Sequence, residues 1–213
     1  MQGGGSGGGP RERKRRLRLL ALRRRRSIPK EELAALSARV EANLVSTPEY
    51  RDASLVISYC AKDDEVQTRH IIETALAGGK RVAVIATDPA SKTLSFSEID
   101  SFESDLAPGT FGILEPKPGR GRPVSISEAG LILVPLVAWD EEGRRLGYGA
   151  GYFDRALARA GSVPKVGLAL ESQRLAEVPS SRHDVPLDVV VTERRVVRPR
   201  VGEESIQKRR RGG

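Results

Sequence analysis

Short apolar runs rich in β-branched residues alternate along the chain with segments that repeat apolar residues at helical spacing. The run at 131–137 (LILVPLV) is almost wholly apolar, which is typical of a strand covered on both faces. Further strands are predicted at 54–60, 81–86, 165–170 and 187–192, and helices at 30–45, 67–77 and 151–160. This alternation predicts a three-layer, Rossmann-like α/β fold in which a mostly parallel sheet has helices on both faces.

One domain is predicted over residues 11–198, because a chain of 213 residues is long enough to bury a core of its own. Residues 1–10 (MQGGGSGGGP) are predicted to be a flexible lead, and residues 199–213 a disordered basic tail. Residues 87–130 show no clear period and are predicted to be irregular, with a surface loop at 115–123.

The composition excludes several classes of site. A single cysteine excludes a disulfide or a multi-cysteine metal site within one chain, and two histidines argue against a histidine-rich metal centre. No apolar run approaches the roughly 18 residues that a membrane span needs. The glycines at the N-terminus do not resemble a secretory signal. We therefore expect a cytoplasmic protein without membrane contact. A monomer is a separate expectation that these counts do not test.

The formal net charge of +8 is concentrated in two short segments. Residues 11–26 hold ten Lys or Arg and one Glu, and residues 208–211 add four more positive charges, so the rest of the chain carries a net charge of −5. Four leucines interrupt the first segment and predict a helix that packs on the protein: Leu17, Leu19, Leu20 and Leu22. Three interpretations remain open, namely a cationic solvent face, a nucleic-acid-binding arm and a site for a small polyphosphate. Nucleic acid has little support, because neither segment contains an aromatic residue on which bases could stack.

The densest chemical signal is the segment 139–155 (WDEEGRRLGYGAGYFDR), which follows the most apolar strand and leads into a predicted helix. Three glycines alternate within it: Gly147, Gly149 and Gly151. Without Cβ atoms, such a backbone turns tightly and brings its N–H groups close to an anionic ligand. Arg144 and Arg145 precede the glycines and can add charge-assisted contacts.

Asp154 lies at the start of the helix that follows the glycines. Two interpretations of this carboxylate are open: it complements the helix dipole, or it binds Mg²⁺ together with phosphate oxygens. The glycine spacing matches neither the Walker motif nor the dinucleotide fingerprint, so the motif alone does not identify a nucleotide site.

The segment 131–155 (LILVPLVAWDEEGRRLGYGAGYFDR) resembles the signature of the 5-formyltetrahydrofolate cyclo-ligase family, also called the methenyltetrahydrofolate synthetases. The resemblance covers about residues 13–198, and supporting pieces follow in the expected order: KRRLR (14–18), DEVQT (64–68), GGKRVAV (78–84), GILEP (112–116) and HDVPLDVVVT (183–192). It implies an α/β three-layer fold. It also implies ATP-dependent ring closure of 5-formyltetrahydrofolate (folinic acid) to 5,10-methenyltetrahydrofolate, with release of ADP and phosphate.

The resemblance further implies which residues bind ATP. They are Lys14, Arg15, Arg16, Leu17, Arg18, Arg145, Leu146, Gly147, Tyr148, Gly149, Ala150, Gly151, Tyr152 and Phe153. In the basic segment 11–26, Lys14 and Arg18 are four residues apart and therefore share one helix face, where two cations can lie along a triphosphate.

Folate, metal and catalytic residues are implied in the same way. The substrate-binding residues are Cys60, Glu65, Tyr148, Gly149, Ala150, Gly151 and Tyr152. Asp154 and Asp184 match the two magnesium-binding positions, and Arg145 and Asp154 are the expected catalytic residues. Three positions depart from the family pattern: Trp139 for Phe, Ala150 for Gly or Lys, and Phe153 for Tyr.

Two other functions remain open from the sequence. One is a different ATP-dependent kinase or ligase built on a similar sheet. The other is a nucleic-acid-binding protein that uses its basic ends.

Overall fold

The centre of the protein is an eight-stranded sheet, and the computed structural model describes residues 9–199. The predicted lead (1–10) and tail (199–213) lie outside the described residues except for their inner ends. The helices are α1 Pro10–Arg26, α2 Lys30–Val45, α3 Pro48–Asp52, α4 Arg69–Ala77, α5 Phe102–Asp105 and α6 Tyr152–Leu157. The strands are β1 Leu55–Ser58, β2 Arg81–Asp88, β3 Thr93–Ile99, β4 Leu106–Pro108, β5 Leu114–Pro116, β6 Arg122–Pro123, β7 Leu131–Val134, β8 Ala138–Trp139, β9 Arg145–Leu146, β10 Lys165–Leu168, β11 Val189–Val191 and β12 Val196–Val197.

The strands of the main sheet follow the order β12-β11-β10-β7-β1-β2-β3-β6. Its five central strands, from β11 to β2, are parallel, and the strands at the two edges are antiparallel. Every residue of β1, β7, β10 and β11 is buried. Since side chains alternate between the faces of a sheet, complete burial requires cover on both faces. The predicted α/β class with a mostly parallel sheet is confirmed.

The order of the parallel strands reverses between two central neighbours. The chain proceeds from β1 outward to β2, and later from β7 outward through β10 to β11, so that β1 and β7 lie side by side with opposite directions of winding. A crevice opens at the carboxyl ends of strands at such a point, and ligands bind there in open α/β sheets. Tyr59 and Cys60 follow β1, and Pro135 follows β7.

The prediction that residues 87–130 are irregular is wrong over β3. This strand pairs antiparallel with β2 through seven residue pairs, from Val82 with Ile99 to Asp88 with Thr93. Its alternate residues Leu94 and Phe96 are buried, which is the period-2 pattern of a strand covered on one face. The predicted loop at 115–123 also contains the end of β5 and the short strand β6, which pairs with β3.

The basic segment forms α1, which begins at Pro10, a favourable first helical residue because its missing N–H needs no partner there. Ala21, Leu17 and Leu22 pack into a small cluster with Val137, Ala138, Leu146 and Val178. Leu19 and Leu20 are about half exposed. The helix therefore packs on the protein, as its leucines predict, with several arginines in solvent. Among the described residues, no helix combines the length and the hydropathy needed to cross a bilayer.

Candidate active site

A cavity of about 470 Å³ opens at the carboxyl ends of β1 and β7. Its walls are formed by α1, the loop after β1, the hairpin of β2 and β3, and the glycine-rich loop that leads into α6. Its lining residues are Lys14, Arg18, Tyr59, Cys60, Lys62, Glu65, Ile85, Thr87, Leu94, Phe111, Ile113, Pro135, all residues from Arg145 to Asp154, and Asp184. The volume lies within the range of small-molecule sites, which is roughly 300–1,000 Å³.

The glycine-rich loop is shaped by two residues in backbone conformations that favour glycine. Gly149 has φ +103° and Gly151 has φ +73°, so a side chain would be strained at either position. A Cβ atom at Gly149 would also lie only 3.1 Å from the guanidinium carbon of Arg18. Glycine at this position therefore allows the arginine of α1 to lie directly against the loop.

Arg145 is the most unusual charged group in the cavity. Its side chain is 3% exposed, and its Nη1 donates to Asp154 at 2.9 Å. Its Nε and Nη2 atoms are buried and have no hydrogen-bond partner within residues 9–199. Burial lowers the pKa of Arg145, an effect opposed by attraction to Asp154 and Asp184, and an arginine remains charged at neutral pH. Two unpaired N–H groups on a buried cation favour an anionic ligand strongly.

Two cations of α1 face the same end of the cavity. The Nζ of Lys14 donates to the Asp184 carboxylate, and the Nε of Arg18 donates to the carbonyl of Gly147 at 2.7 Å. Both lie on the helix face that the four-residue spacing predicts. With Arg145, they surround this end of the cavity with three positive charges.

The structure does not bring every predicted residue to the cavity. Arg15 and Arg16 are exposed on the far side of α1, with Arg15 paired to Glu12 at 2.7 Å, and Leu17 packs in the apolar cluster under the helix. These three residues do not line the cavity, because successive helical residues point about 100° apart. Arg144 also turns away and donates to the buried Asp140 at 2.7 Å.

Asp154 and Asp184 line the same cavity as Arg145, and both carboxylates raise the pKa of that arginine. The Oδ1 of Asp154 accepts from Arg145 at 2.9 Å and from the backbone N–H of Val185 at 3.2 Å. Asp184 accepts from Lys14 and from the backbone N–H of Ser181. Burial opposes ionisation of Asp184, but these hydrogen bonds outweigh it and lower its pKa.

The two aspartates fit a magnesium ion by the chemistry of their donor atoms. Mg²⁺ is commonly held by one or two carboxylates together with substrate phosphates and water. No group of three or more His, Cys, Asp or Glu side chains suited to a metal occurs in the described part of the chain. A metal here would therefore need oxygens from a ligand in addition to Asp154 and Asp184.

The cavity wall also contains Glu65, which is only 5% exposed. Its Oε1 accepts from the hydroxyl of Tyr148 at 2.7 Å, and its Oε2 accepts from the backbone N–H of Lys62 at 2.8 Å. Cys60 lines the wall nearby, and burial raises the pKa of its thiol to about 12. A buried, ionisable acceptor beside apolar walls suits a flat ligand that presents N–H groups.

Comparison with known proteins places this geometry in a family. The family model described as the 5-formyltetrahydrofolate cyclo-ligase family matches residues 10–193. The chain belongs to that family. The 5-formyltetrahydrofolate cyclo-ligase of Escherichia coli K12 is 31% identical over 176 residues, which cover 81% of this chain and 96% of the relative. The mouse protein of the same name is 29% identical over 80% of this chain and 88% of its own length.

Solved structures agree with this membership in the cyclo-ligase family. The 5,10-methenyltetrahydrofolate synthetase of Aquifex aeolicus, solved by NMR, superposes with a TM-score of 0.79 at 36% identity. The match covers 89% of this chain and 94% of that one. A synthetase from Mycoplasma pneumoniae shares the fold, with a TM-score of 0.68 at 20% identity over 84% of this chain and 98% of its own. The family resemblance predicted from the sequence motifs is confirmed.

Several residues in or beside the cavity are not predicted by the cyclo-ligase motifs. Phe111, 64% exposed and at φ +58°, faces the cavity from the short turn between β4 and β5, and Lys62 lies 5.8 Å from its ring centroid. Neither belongs to a periodic or glycine-rich segment, so no local signal identifies them. Arg25 is one of four consecutive arginines, 23–26, yet its side chain is 1% exposed and donates to the Tyr148 hydroxyl at 2.7 Å.

Proposed function

We propose that the chain is a 5-formyltetrahydrofolate cyclo-ligase that closes the ring of folinic acid at the expense of ATP. The products are 5,10-methenyltetrahydrofolate, ADP and phosphate. Membership in the family supports the reaction. The single observation that carries the ATP requirement is the buried Arg145 with two unpaired N–H groups among the described residues, beside Lys14 and Arg18. Such a cluster suits the phosphates of a nucleotide.

The chemistry explains why a phosphate donor is needed. An N-formyl group is a poor electrophile, because its nitrogen donates electrons into the carbonyl. In the proposed first step, the formyl oxygen attacks the γ-phosphorus of ATP, an O–P bond forms, and the bond to the bridging oxygen breaks so that ADP leaves. The neighbouring amine of the folate then attacks the activated carbon and loses its proton. Expulsion of phosphate leaves the methenyl product.

The residues of the chain supply position and charge for these steps. Lys14, Arg18 and Arg145 neutralise phosphate oxygens, and the glycine-rich loop lets backbone N–H groups approach them. Asp154 and Asp184 would hold Mg²⁺, which supplies charge neutralisation to the phosphates when bound. No side-chain nucleophile is required. This is consistent with Cys60, whose raised pKa keeps its thiol protonated.

The other end of the cavity suits the folate. Glu65 can accept hydrogen bonds from the N–H groups of a pterin ring. Tyr148, Tyr152 and Phe111 present aromatic faces, and Ile85, Leu94 and Ile113 supply apolar walls. The single, buried cysteine supports a reducing compartment such as the cytoplasm.

The test is turnover of the full-length protein with folinic acid, ATP and Mg²⁺, followed by the near-ultraviolet absorbance of the methenyl product. We expect product only when all three are present. Product formed equally without ATP, or no product under any condition, would contradict the proposal. Formation of ADP with a stable phosphorylated folate, and no methenyl product, would favour a kinase.

A matched pair of variants tests whether Lys14 in the cavity binds ATP. Lys14→Ala should raise the KM for ATP more than the KM for folinic acid, since the lost contact is with phosphate. Arg16→Ala removes a cation from the exposed side of the same helix and should leave both constants unchanged. Equal effects of the two variants would contradict the assignment of Lys14.

A further inference from the structure

Arg25 lies in the last turn of α1 and is buried, although it does not line the cavity. Its guanidinium connects three acceptors from different parts of the chain. Nη1 donates to the carbonyl of Leu136 at 3.1 Å, Nε and Nη2 donate to Asp64 at 3.2 and 3.0 Å, and Nη2 also donates to the hydroxyl of Tyr148 at 2.7 Å. A buried guanidinium with this many partners holds them in one arrangement.

The contact with Arg25 determines the direction of the next hydrogen bond. Arginine has donors only, so the Tyr148 oxygen must accept from Arg25. Its single proton is then left for the Oε1 of Glu65, 2.7 Å away. Burial and the nearby Glu65 carboxylate raise the pKa of the Tyr148 hydroxyl, which keeps that proton in place. Glu65 consequently receives one hydrogen bond on each oxygen, the second from the backbone N–H of Lys62.

Arg18 holds the same loop independently. It lies seven residues before Arg25, close to two helical turns, and therefore on the same face of α1. Arg18 donates to the carbonyl of Gly147, and Arg25 donates to the side chain of the next residue, Tyr148. Loss of the contact at Arg25 therefore leaves the glycine-rich loop attached to α1 at its phosphate-binding end.

We propose that Arg25 is a positioning residue for folate: it orients the Tyr148 hydroxyl, and through it the Glu65 carboxylate, toward the cavity. The inference rests on the proposed function of this cavity. It assigns Arg25 an effect on the folate end that is separate from the cations Lys14 and Arg18 at the phosphate end.

The test measures the Kd of folinic acid and the Kd of a non-hydrolysable ATP analogue by calorimetry on the full chain, together with turnover and the Tm. Arg25→Lys keeps the charge but cannot serve three acceptors. It should weaken folinic acid binding about tenfold to a hundredfold, the usual range for losing one hydrogen bond to a charged group. The Kd of the ATP analogue should stay within about twofold of the wild-type value. Arg23→Lys, an exposed change on the same helix, is the matched control.

Tyr148→Phe provides a second route that keeps Arg25 with its contacts to Asp64 and Leu136, and the Tyr148 side chain is accessible enough that folding should persist. It should weaken folinic acid binding about as much as Arg25→Lys. The double variant should be no weaker than the worse single variant, because without a hydroxyl there is nothing left for Arg25 to orient. Independent, additive effects would overturn the proposal.

The outcomes also separate this inference from the proposed function. If Arg25→Lys lowers only the Tm, or weakens both ligands equally, Arg25 is structural and the inference is wrong. If the wild-type protein binds folinic acid but forms no methenyl product, the proposed function is wrong, and the positioning role is still judged from the Kd values. If the wild-type protein does not bind folinic acid, both are wrong.

Discussion

Two consecutive arginines are expected to respond to the same substitution in opposite ways. Arg145 lies in the cavity with two unpaired N–H groups, whereas Arg144 donates to Asp140, whose side chain is 1% exposed. We predict that Arg145→Met strongly lowers kcat/KM without lowering stability, and that Arg144→Met lowers stability without removing the activity of the folded protein. Both substitutions remove one guanidinium and keep an unbranched side chain.

The expected loss of kcat/KM in Arg145→Met follows from the contacts of Arg145. Two charge-assisted hydrogen bonds to phosphate contribute about 1.5–3 kcal/mol each. Their loss predicts a decrease in kcat/KM between about a hundredfold and ten-thousandfold. In the free protein the same two N–H groups are buried and have no hydrogen-bond partner among residues 9–199. Removing them relieves a desolvation cost, which offsets the stabilisation lost with the ion pair to Asp154. Asp154 is 26% exposed and can be solvated by water, so we expect an unchanged or higher Tm.

For Arg144→Met, the expected change is a loss of stability. Asp140 would lose its arginine while keeping backbone N–H groups from Glu142, Arg144 and Val178. The expected loss in the free energy of unfolding is about 1–3 kcal/mol. For a chain of this size, each kcal/mol corresponds to about 2–4 °C in Tm.

The assay is a thermal melt of each variant with and without ATP and Mg²⁺, combined with turnover. Wild-type protein and Arg144→Met should be stabilised by ATP, whereas Arg145→Met should not be. A strong loss of Tm in Arg145→Met, with stabilisation by ATP retained, would refute the assignment of Arg145 as a phosphate ligand.

Three further predictions concern single side chains. Asp154→Asn and Asp184→Asn should each raise the Mg²⁺ concentration required for turnover while the fold persists, and their combination should be less than additive; wild-type metal dependence in all three would contradict a shared ion. The hydrogen bond from Arg81 holds the pKa of Glu98 below its ordinary value. Ionised Glu98 therefore stabilises the fold fully at pH values above its pKa in the unfolded chain, and this stabilisation is lost as the pH falls through its pKa in the folded protein. Glu98→Gln should therefore lower the Tm at neutral pH, and its Tm should decrease less between neutral and acid pH than that of the wild-type protein. Burial raises the pKa of Cys60 to about 12, so a thiol reagent should label it slowly in the native protein and rapidly after denaturation.

The parallel core of the fold could be predicted from the sequence because its strands are covered on both faces. The run that forms β7 is apolar throughout, and three of the four residues of β1 are apolar, a pattern that does not depend on the rest of the chain. Strand β3 was missed because its alternation of apolar and polar residues rests on Leu94 and Phe96 alone, and the next residue in that series is Glu98. Pairing with β2 through seven residue pairs supplies the conformational preference that so short a pattern does not specify.

The site was predicted in part for a similar reason. Backbone requirements leave local signals, such as the alternating glycines, and helical spacing places Lys14 and Arg18 together. The burial of Arg25 leaves no such signal, because it depends on acceptors contributed by distant segments at Asp64 and Tyr148. The same limit applies to Phe111, which reaches the cavity through tertiary packing alone.

The central claim is that the cavity brings the γ-phosphate of ATP to the formyl oxygen of the folate. The most direct test uses folinic acid labelled with heavy oxygen in its formyl group and follows the label by mass spectrometry of the products. The account predicts that the label appears in inorganic phosphate, because the formyl oxygen forms the new bond to phosphorus and leaves with it. Unlabelled phosphate, with the heavy oxygen released as water, would contradict the account.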